Sequence, residues 1–199
     1  MSALEKYLHD WDTPVLIKAA LAHVQFETIH PFLDGNGRTG RLLISLILHK
    51  EHVLRQPLLY LSLYLKKNRA DYYRLLDGVR SSGDWEQWLE FFLDGVYETA
   101  TGAVDTANRL LALFAEDERL LRNGGVTLGN VYRAHAHMHA RPIATINSIA
   151  THLAITYPTA AKAMKVLADN GIVLEITGHQ RNRVYAYHRY LGILNEGTE

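Results

Sequence analysis

The apolar positions of this chain recur with a helical period over most of its length. Leu16, Ala20 and Val24 repeat every four residues, and the run at 42–48 is apolar on nearly every side. Such a run predicts a buried helix at 41–50, and the small residues of the preceding helix predict that the two pack closely. Further helical stripes at 57–67, 68–80, 84–96 and 99–121 predict a helical bundle over residues 1–121.

The pattern changes after the segment 122–125, whose two glycines indicate a linker between two domains. Three short helical patterns follow, and the last of them ends at Asn170-Gly171. Two strand-like segments, 172–176 and 183–187, then flank a turn-rich loop. Three helices plus a β-hairpin resemble a winged helix-turn-helix domain, so we predict a small winged-helix domain at 126–199. The fold class is therefore mainly α.

The amino-acid composition excludes several kinds of protein but does not indicate a specific activity. The chain has 199 residues, 21 basic and 21 acidic side chains, and no cysteine. Balanced charge gives no argument for bulk binding of nucleic acid or membrane, and the lack of cysteine excludes disulfides and thiolate sites. No stretch is long and apolar enough for a transmembrane helix. We therefore expect a cytoplasmic protein with no membrane partner.

One stretch, 30–41, concentrates the groups that bind anions: His-Pro-Phe-Leu-Asp-Gly-Asn-Gly-Arg-Thr-Gly-Arg. Gly35-Asn36-Gly37 can turn its backbone N–H groups inward as an anion nest. The positive N-terminal end of the following helix points at the same place. Arg38 and Arg41 lie three residues apart on one helix face, where they can bracket a polyphosphate.

Two further side chains of the stretch suit catalysis. Asp34 supplies the hard oxygen that Mg²⁺ accepts in phosphate sites. The imidazole of His30 suits a general base at neutral pH. Because Pro31 disfavours a helical backbone at the residue before it, we expect the preceding helix to stop at His30 and to present the ring at the mouth of the loop.

The stretch 30–41 matches every fixed position of the signature of the Fic (filamentation induced by cAMP) family, His-Pro-Phe-x-(Asp/Glu)-Gly-Asn-Gly-Arg-x-x-Arg. The resemblance implies a Fic-type helical bundle as the catalytic domain. It also implies a protein adenylyltransferase, an enzyme that moves AMP from ATP to a Ser, Thr or Tyr hydroxyl of a target protein, with ATP as substrate and Mg²⁺ as cofactor.

Carried onto this chain, the family's pattern assigns a role to each matching residue. It implies that the general base is His30, and that Phe32 is a buried wedge that anchors the loop. The catalytic set is then His30, Arg38 and Arg41, the metal ligand is Asp34, and the nucleotide-binding set is Gly35, Asn36, Gly37, Arg38, Arg41, Asn68 and Tyr72. The last two are placed near the adenine by a looser resemblance.

Several alternatives stay open within and beyond this class. Removal of AMP, or transfer of another nucleotidyl group or of phosphocholine, uses nearly the same loop. A nucleotide-responsive DNA-binding regulator is the alternative outside the enzyme class, with Thr159, Lys162 and Lys165 on the third helix of the winged domain as a thin phosphate-binding set. A homodimer is a further alternative for that domain.

Two parts that the family often carries are missing from the sequence. The inhibitory pattern Ser/Thr-x-x-x-Glu-Gly/Asn, whose glutamate pairs with the second signature arginine (here Arg41), has no full match. The β-hairpin flap that the family places upstream has little room before Pro14. Either the chain is a piece of a longer protein, or its inhibitor comes from a partner. We favour the first alternative and expect the catalytic domain at 1–121 to be N-terminally truncated.

Overall fold

The computed structural model describes residues 1–54, 60–123, 129–179 and 182–196. Within these residues the protein is mostly helical, with one small three-stranded sheet, which confirms the predicted mainly α class. The chain divides into two compact units, Met1–Ala103 and Val104–Glu199, and each has its own hydrophobic core. In the described part of the chain, no helix combines the length and the apolar character needed to cross a membrane.

The first unit is a bundle of helices. Its helices are α1 (Ser2–Leu8), α2 (Val15–Ile29), α3 (Asn36–Lys50), α4 (Leu61–Lys67), α5 (Arg69–Ser82) and the first part of α6 (Trp85–Asn123). The predicted helix at 57–67 begins at Leu61 among the described residues, and positions 57–59 lie outside them.

Close packing of α2 against α3 forms the centre of this unit. Ala19, Ala20 and Ala22 are completely buried, which confirms the predicted close approach. The prediction that α3 is buried on all sides is wrong, because Leu42 and Leu46 are half exposed and line an open apolar groove beside α1. Only one face of α3 packs against α2, so some of the apolar side chains at 42–48 remain outside the core.

Aromatic side chains fill the space between α2, α5 and α6. Trp88 and Phe92 are completely buried, and the indole N–H of Trp88 donates to the carbonyl of Ala20 at 3.1 Å. His23 stacks on Trp88, with ring centroids 5.9 Å apart, and its Nε2 lies 2.9 Å from the Tyr72 hydroxyl. Burial lowers the pKa of His23 to about 4, so the core contains a neutral imidazole at physiological pH.

Helix α6 is one continuous helix over 39 residues, although it contains Gly95 and Gly102. A Cβ atom at Gly95 would lie 2.5 Å from the ring of Tyr64, so this glycine permits a close helix–helix contact. The division between the compact units falls inside this helix, between Ala103 and Val104. Of the linker predicted at 122–125, the first two residues are helical and the last two lie outside the described residues.

The second unit combines the remainder of α6 with short helices and a small sheet. Its elements are α7 (Gly129–Ala140), β1 (Ile143–Thr145), α8 (Ile146–Leu153), α9 (Tyr157–Asp169), β2 (Leu174–Glu175), β3 (Val184–Ala186) and α10 (His188–Asn195). The strand order is β1-β3-β2, and both pairs are antiparallel, with Tyr185 opposite Ala144 and Glu175.

The predicted helices and hairpin of this unit are present, and two elements are additional. Thr145 caps α8 by accepting a hydrogen bond from the backbone N–H of Ser148 at 3.1 Å, as its position suggested. Strand β1 was not predicted because three residues carry no periodic signal, and it forms through its pairing with β3. Helix α10 was also not predicted.

A buried carboxylate anchors the end of this sheet to α6. Asp117 is 1% exposed; it accepts hydrogen bonds from the Tyr187 hydroxyl and, at 3.1 Å, from Arg189. His135 Nε2 lies 3.3 Å from the same hydroxyl. Asp117 and Arg189, the charged residues of this group, are paired with each other. We therefore interpret the group as a structural contact of the second unit and not as a ligand-binding site.

The neutral state of His23 makes the stability of the first unit depend on pH. The unfolded chain binds a proton at His23 near pH 6.5, whereas the folded protein binds it only near pH 4. The free energy of unfolding should therefore fall as the pH drops from 6.5 to 4, with up to about 3 kcal/mol from this residue. Denaturant unfolding across this range should show a shallower decline for His23→Gln.

An exposed histidine of the same unit provides the control for this prediction. His9→Gln should leave the pH dependence of the unfolding free energy unchanged, because the side chain of His9 is exposed. An equally steep decline in His23→Gln and in the natural protein would mean that other groups cause it.

Candidate active site

The end of α2 presents His30 as the sequence predicts. Helix α2 ends at Ile29, and His30 adopts a left-handed conformation with φ 50° and ψ 56° while its N–H still donates to the carbonyl of Phe26 at 3.0 Å. The imidazole is exposed. Pro31 thus ends the helix at this point, and the ring lies at the surface of the loop that leads to α3.

Asn36 holds this loop in shape. Its side chain accepts a hydrogen bond from the backbone N–H of Phe32 at 2.9 Å and donates to the carbonyl of the same residue at 2.6 Å. Asn36 is only 2% exposed. The amide therefore holds the loop through one donor and one acceptor position, and contact of this side chain with a nucleotide stays a prediction.

The glycines of the loop form the start of α3. Gly35 has φ +83°, a conformation that side chains rarely adopt, and it precedes the first helical residue. Among the described residues, no side chain caps this end of the helix. The first N–H groups of a helix have no intrahelical acceptor, so those of α3 suit the anion nest that the sequence predicts; binding of an anion there stays a prediction.

The two signature arginines lie against the two glycines of the nest. A Cβ atom at Gly35 would lie 3.4 Å from Arg38 Nη2, and one at Gly37 would lie 3.2 Å from Arg41 Nη1. Arg38 also contacts Asp34 at 3.4 Å, and both of these side chains are largely exposed. The structure therefore brings Asp34, the nest and both guanidinium groups together at one end of α3.

The predicted burial of Phe32 is wrong. Its side chain is 51% exposed, and the ring centroid lies 6.3 Å from that of Phe26 at the edge of the core. The loop is instead anchored through its backbone, by the amide of Asn36. An anchor of this kind does not require the aromatic ring to enter the core.

The two residues predicted to contact the adenine make contacts within the helical bundle. Tyr72 is 4% exposed and its hydroxyl bonds to His23, while burial raises the pKa of the phenol. Asn68 donates to the carbonyl of Tyr64 at 3.0 Å and so caps the end of α4. Tyr73 is the exposed neighbour, at 56%, with Arg69 over its ring. Contact of Asn68 or Tyr72 with a nucleotide stays a prediction, which the burial of Tyr72 does not favour.

Sequence reasoning missed two residues that lie directly behind the loop. Glu27 is 7% exposed, and its Oε1 has no hydrogen-bond partner in the part of the chain that the structure describes. Arg80, from α5, donates to the carbonyl of Glu27 at 2.9 Å and to the Thr28 hydroxyl at 3.2 Å, so it ties down the end of α2 next to His30. The available signal was the position of Glu27 on the same helix face as the buried alanines.

Burial dominates the electrostatics of Glu27. Loss of solvent raises the pKa of its carboxyl, and the positive charges of Arg41, His30 and Arg80 oppose that rise. The carboxylate lies against Gly40, where a Cβ atom would be 2.5 Å from Oε1. Glu27 therefore links the end of α2 to the face of α3 that carries Arg41.

Comparison with known proteins points to the same part of the chain. Residues 1–48, which include the whole loop, match the model of the Fic/DOC family. Proteins named protein adenylyltransferase Fic from Drosophila grimshawi and Drosophila virilis are each 37% identical to this chain over 81 residues. That alignment covers 41% of this chain and 15% of each relative, so the chain matches only a small part of those proteins.

A solved structure shows the same fold at low sequence identity. A Fic family protein from Desulfovibrio desulfuricans G20 superposes with a TM-score of 0.51 and 23% identity, over 94% of this chain and 53% of that one. The helical architecture is thus that of a Fic-type fold. Together with the family match, this likeness supports a Fic domain in the N-terminal part of the chain.

The clamp made by Asn36 should control the stability of the loop. Asn36→Ala removes both hydrogen bonds to Phe32 and leaves a backbone N–H unpaired, at a cost of about 2 kcal/mol. The amide proton of Phe32 should then exchange with solvent faster, as hydrogen exchange followed by NMR would measure. Asn36→Asp keeps the acceptor and should slow this exchange relative to Asn36→Ala. Equal exchange in all three proteins would contradict the clamp.

Proposed function

We propose that this protein transfers AMP from ATP to a hydroxyl group of a target protein. The observation that carries the proposal is the geometry at the N-terminal end of α3. There, the first N–H groups of α3 have no intrahelical acceptor, and the guanidinium groups of Arg38 and Arg41 lie beside the two glycines of the nest. His30, whose imidazole is exposed, directly follows the last residue of α2. An anion site beside a general base suits attack of a hydroxyl on a phosphate ester.

The phosphates of ATP bind at the nest in this proposal. The N–H groups that follow Gly35 hold the α- and β-phosphates, since they lack other acceptors. Arg38 lies beside Gly35 and Arg41 beside Gly37, and from these positions the two side chains bind the β- and γ-phosphates. As the bond to the α-phosphorus breaks, the same arginines stabilise the charge of the departing pyrophosphate.

His30 acts as the general base. Its exposed ring, at the surface of the loop, can accept the proton of an incoming Ser, Thr or Tyr hydroxyl. The oxygen attacks the α-phosphorus, and pyrophosphate leaves on the opposite side with its electron pair. Arg80 supports this geometry because its hydrogen bonds hold the last turn of α2, from which His30 projects.

Asp34 fits a role as ligand to Mg²⁺. Its carboxylate is 94% exposed at the rim of the nest, and its only ion pair, among the described residues, is the contact with Arg38 at 3.4 Å. An exposed pair of this kind contributes little stability, so the carboxylate is available. When bound, Mg²⁺ would neutralise charge on the phosphates of the nucleotide.

The environment of Gly37 favours transfer from the α-phosphorus over transfer of the γ-phosphoryl group. A kinase-like branch of the family carries lysine at this position. Here a Cβ atom at Gly37 would lie 3.2 Å from Arg41 Nη1, so a long side chain would displace the guanidinium. Glycine therefore preserves the arrangement in which Arg41 faces the phosphates.

The C-terminal unit is assigned a supporting role. We propose that its three short helices and sheet form the winged-helix domain that the sequence predicts, with dimerisation or placement of the target protein as its task. Binding of DNA is the weaker alternative. Lys165, one of the basic residues on α9, pairs with Asp169 at 2.6 Å and so has its charge compensated within the helix.

Labelled ATP tests the direction of transfer. With Mg²⁺ and a total protein extract as acceptor, label on the α-phosphate should appear on protein, and label on the γ-phosphate should not. His30→Ala should abolish labelling while leaving ATP affinity within about twofold, because the base acts on the hydroxyl. His9→Ala is the matched control and should label normally. Transfer of γ-label, or full labelling by His30→Ala, would refute the mechanism.

A magnesium titration tests Asp34. Asp34→Ala should raise the Mg²⁺ concentration that gives half-maximal labelling by about tenfold or more, since a carboxylate ligand is lost. The control is Asp71→Ala, which removes an exposed acid of the same unit that pairs with Arg74 at 3.1 Å. An unchanged Mg²⁺ requirement in Asp34→Ala would remove this residue from the metal site.

A further inference from the structure

We infer that Glu27 is a positioning residue that orients the guanidinium of Arg41 toward the phosphates of the nucleotide. The inference rests on the proposed function, because Arg41 contacts ATP only in that proposal. It adds a carboxylate, from the helix before the signature loop, to a site otherwise built from the loop and α3.

Both groups lie on the side of Gly37 where a side chain would project. A Cβ atom at Gly37 would lie 3.2 Å from Arg41 Nη1 and 3.8 Å from Glu27 Oε1. The same Oε1 is buried and accepts no hydrogen bond from any residue that the structure describes. Arg41, for its part, donates no hydrogen bond to any of the described residues and is only half-buried. An acceptor without a donor and a donor without an acceptor therefore lie beside the same glycine.

A buried carboxylate without a partner is costly unless a charge compensates it. The charged groups that face Glu27 are Arg41 from α3, Arg80 from α5 and His30 at the end of its own helix. Arg80 is held by other acceptors, because its Nη2 donates to the carbonyl of Glu27 and its Nε to the hydroxyl of Thr28. Arg41 has no such contact among the described residues and is the cation with the largest effect on the carboxylate.

The position of Arg41 beside the nest determines how the loss of Glu27 should change the affinity for ATP. Its guanidinium has five N–H donors in a rigid plane. If the carboxylate of Glu27 accepts a hydrogen bond from one edge of the Arg41 guanidinium, the opposite edge is held toward the nest. Less side-chain entropy of Arg41 is then lost when a phosphate binds. Without Glu27 the arginine can still reach phosphate, but from a wider range of conformations. ATP should then bind more weakly.

Close packing fixes the carboxylate in this position. At Gly40 a Cβ atom would lie 2.5 Å from Glu27 Oε1 and 3.2 Å from the His23 ring. The carboxylate therefore rests on the backbone of α3 at the residue before Arg41, and any side chain at position 40 would move it. Gly40→Ala consequently displaces Glu27 without removing its charge.

A double-mutant cycle measured by calorimetry tests the inference. The proteins are the natural chain, Glu27→Gln, Arg41→Ala and the double variant, each titrated with MgATP and with AMP. Glu27→Gln should weaken MgATP binding by about three- to tenfold in the natural background and by less than about twofold in Arg41→Ala, because coupled residues are not additive. Its affinity for AMP should not change, since AMP lacks the phosphates that Arg41 contacts.

A second carboxylate and a second glycine control for stability. The largely buried carboxylate of Glu51 forms an ion pair with Lys18, with 3.2 Å between Oε1 and Nζ. Glu51→Gln removes this ion pair, so it should lower the stability of the protein while leaving its affinity for MgATP unchanged. If Glu27→Gln does not fold, Gly40→Ala should give the same loss of MgATP affinity. Its control, Gly78→Ala, adds a methyl group where no atom lies within 4 Å.

The outcomes separate this inference from the proposed function. Equal losses for MgATP and AMP, or equal losses in both backgrounds, would show that Glu27 has only a structural role. Unchanged or tighter MgATP binding by Glu27→Gln, with weaker binding by Arg41→Ala, would overturn the inference and leave the proposed function standing. Failure of the natural chain to bind MgATP would overturn both.

Discussion

The close contact of α2 with α3 is the constraint on which the rest of the first unit depends. Alanines on α2 and Gly40 on α3 allow the two helices to pack closely, so both ends of the loop between them are held in place. The loop has only six residues between the helix ends. With its ends fixed, one clamp by Asn36 is enough to define it, and rigid support of this kind suits a catalytic site.

The same contact determines the electrostatics of the site. Packing that excludes side chains from Gly40 also excludes water from Glu27, and burial raises the pKa of that carboxyl. The pair of Asp34 and Arg38 differs from it because both side chains are exposed and solvent screens their charges. One end of α3 therefore combines an exposed acid that can meet a metal with a buried acid that can only act on its protein neighbours.

In the proposed anion site, the backbone and the side chains supply different kinds of contact. The N-terminal end of α3 supplies donors whose direction is fixed by the helix, which requires the positive φ of Gly35. The arginines supply charge, but their direction depends on what else they contact. Arg38 contacts Asp34 at the surface, whereas Arg41 is half-buried and lies beside Gly37, near the buried carboxylate of Glu27. The two signature arginines are thus not equivalent.

Features that depend on a few neighbouring residues could be read from the sequence. The stop of α2 before Pro31, the turn at Gly35 and most of the helical stripes appear where the sequence predicts them, because backbone preferences act over a few positions. Burial could not be read in this way. Exposed Phe32, buried Tyr72 and the environment of Glu27 depend on which helix faces meet, and that is decided by residues far apart in the chain.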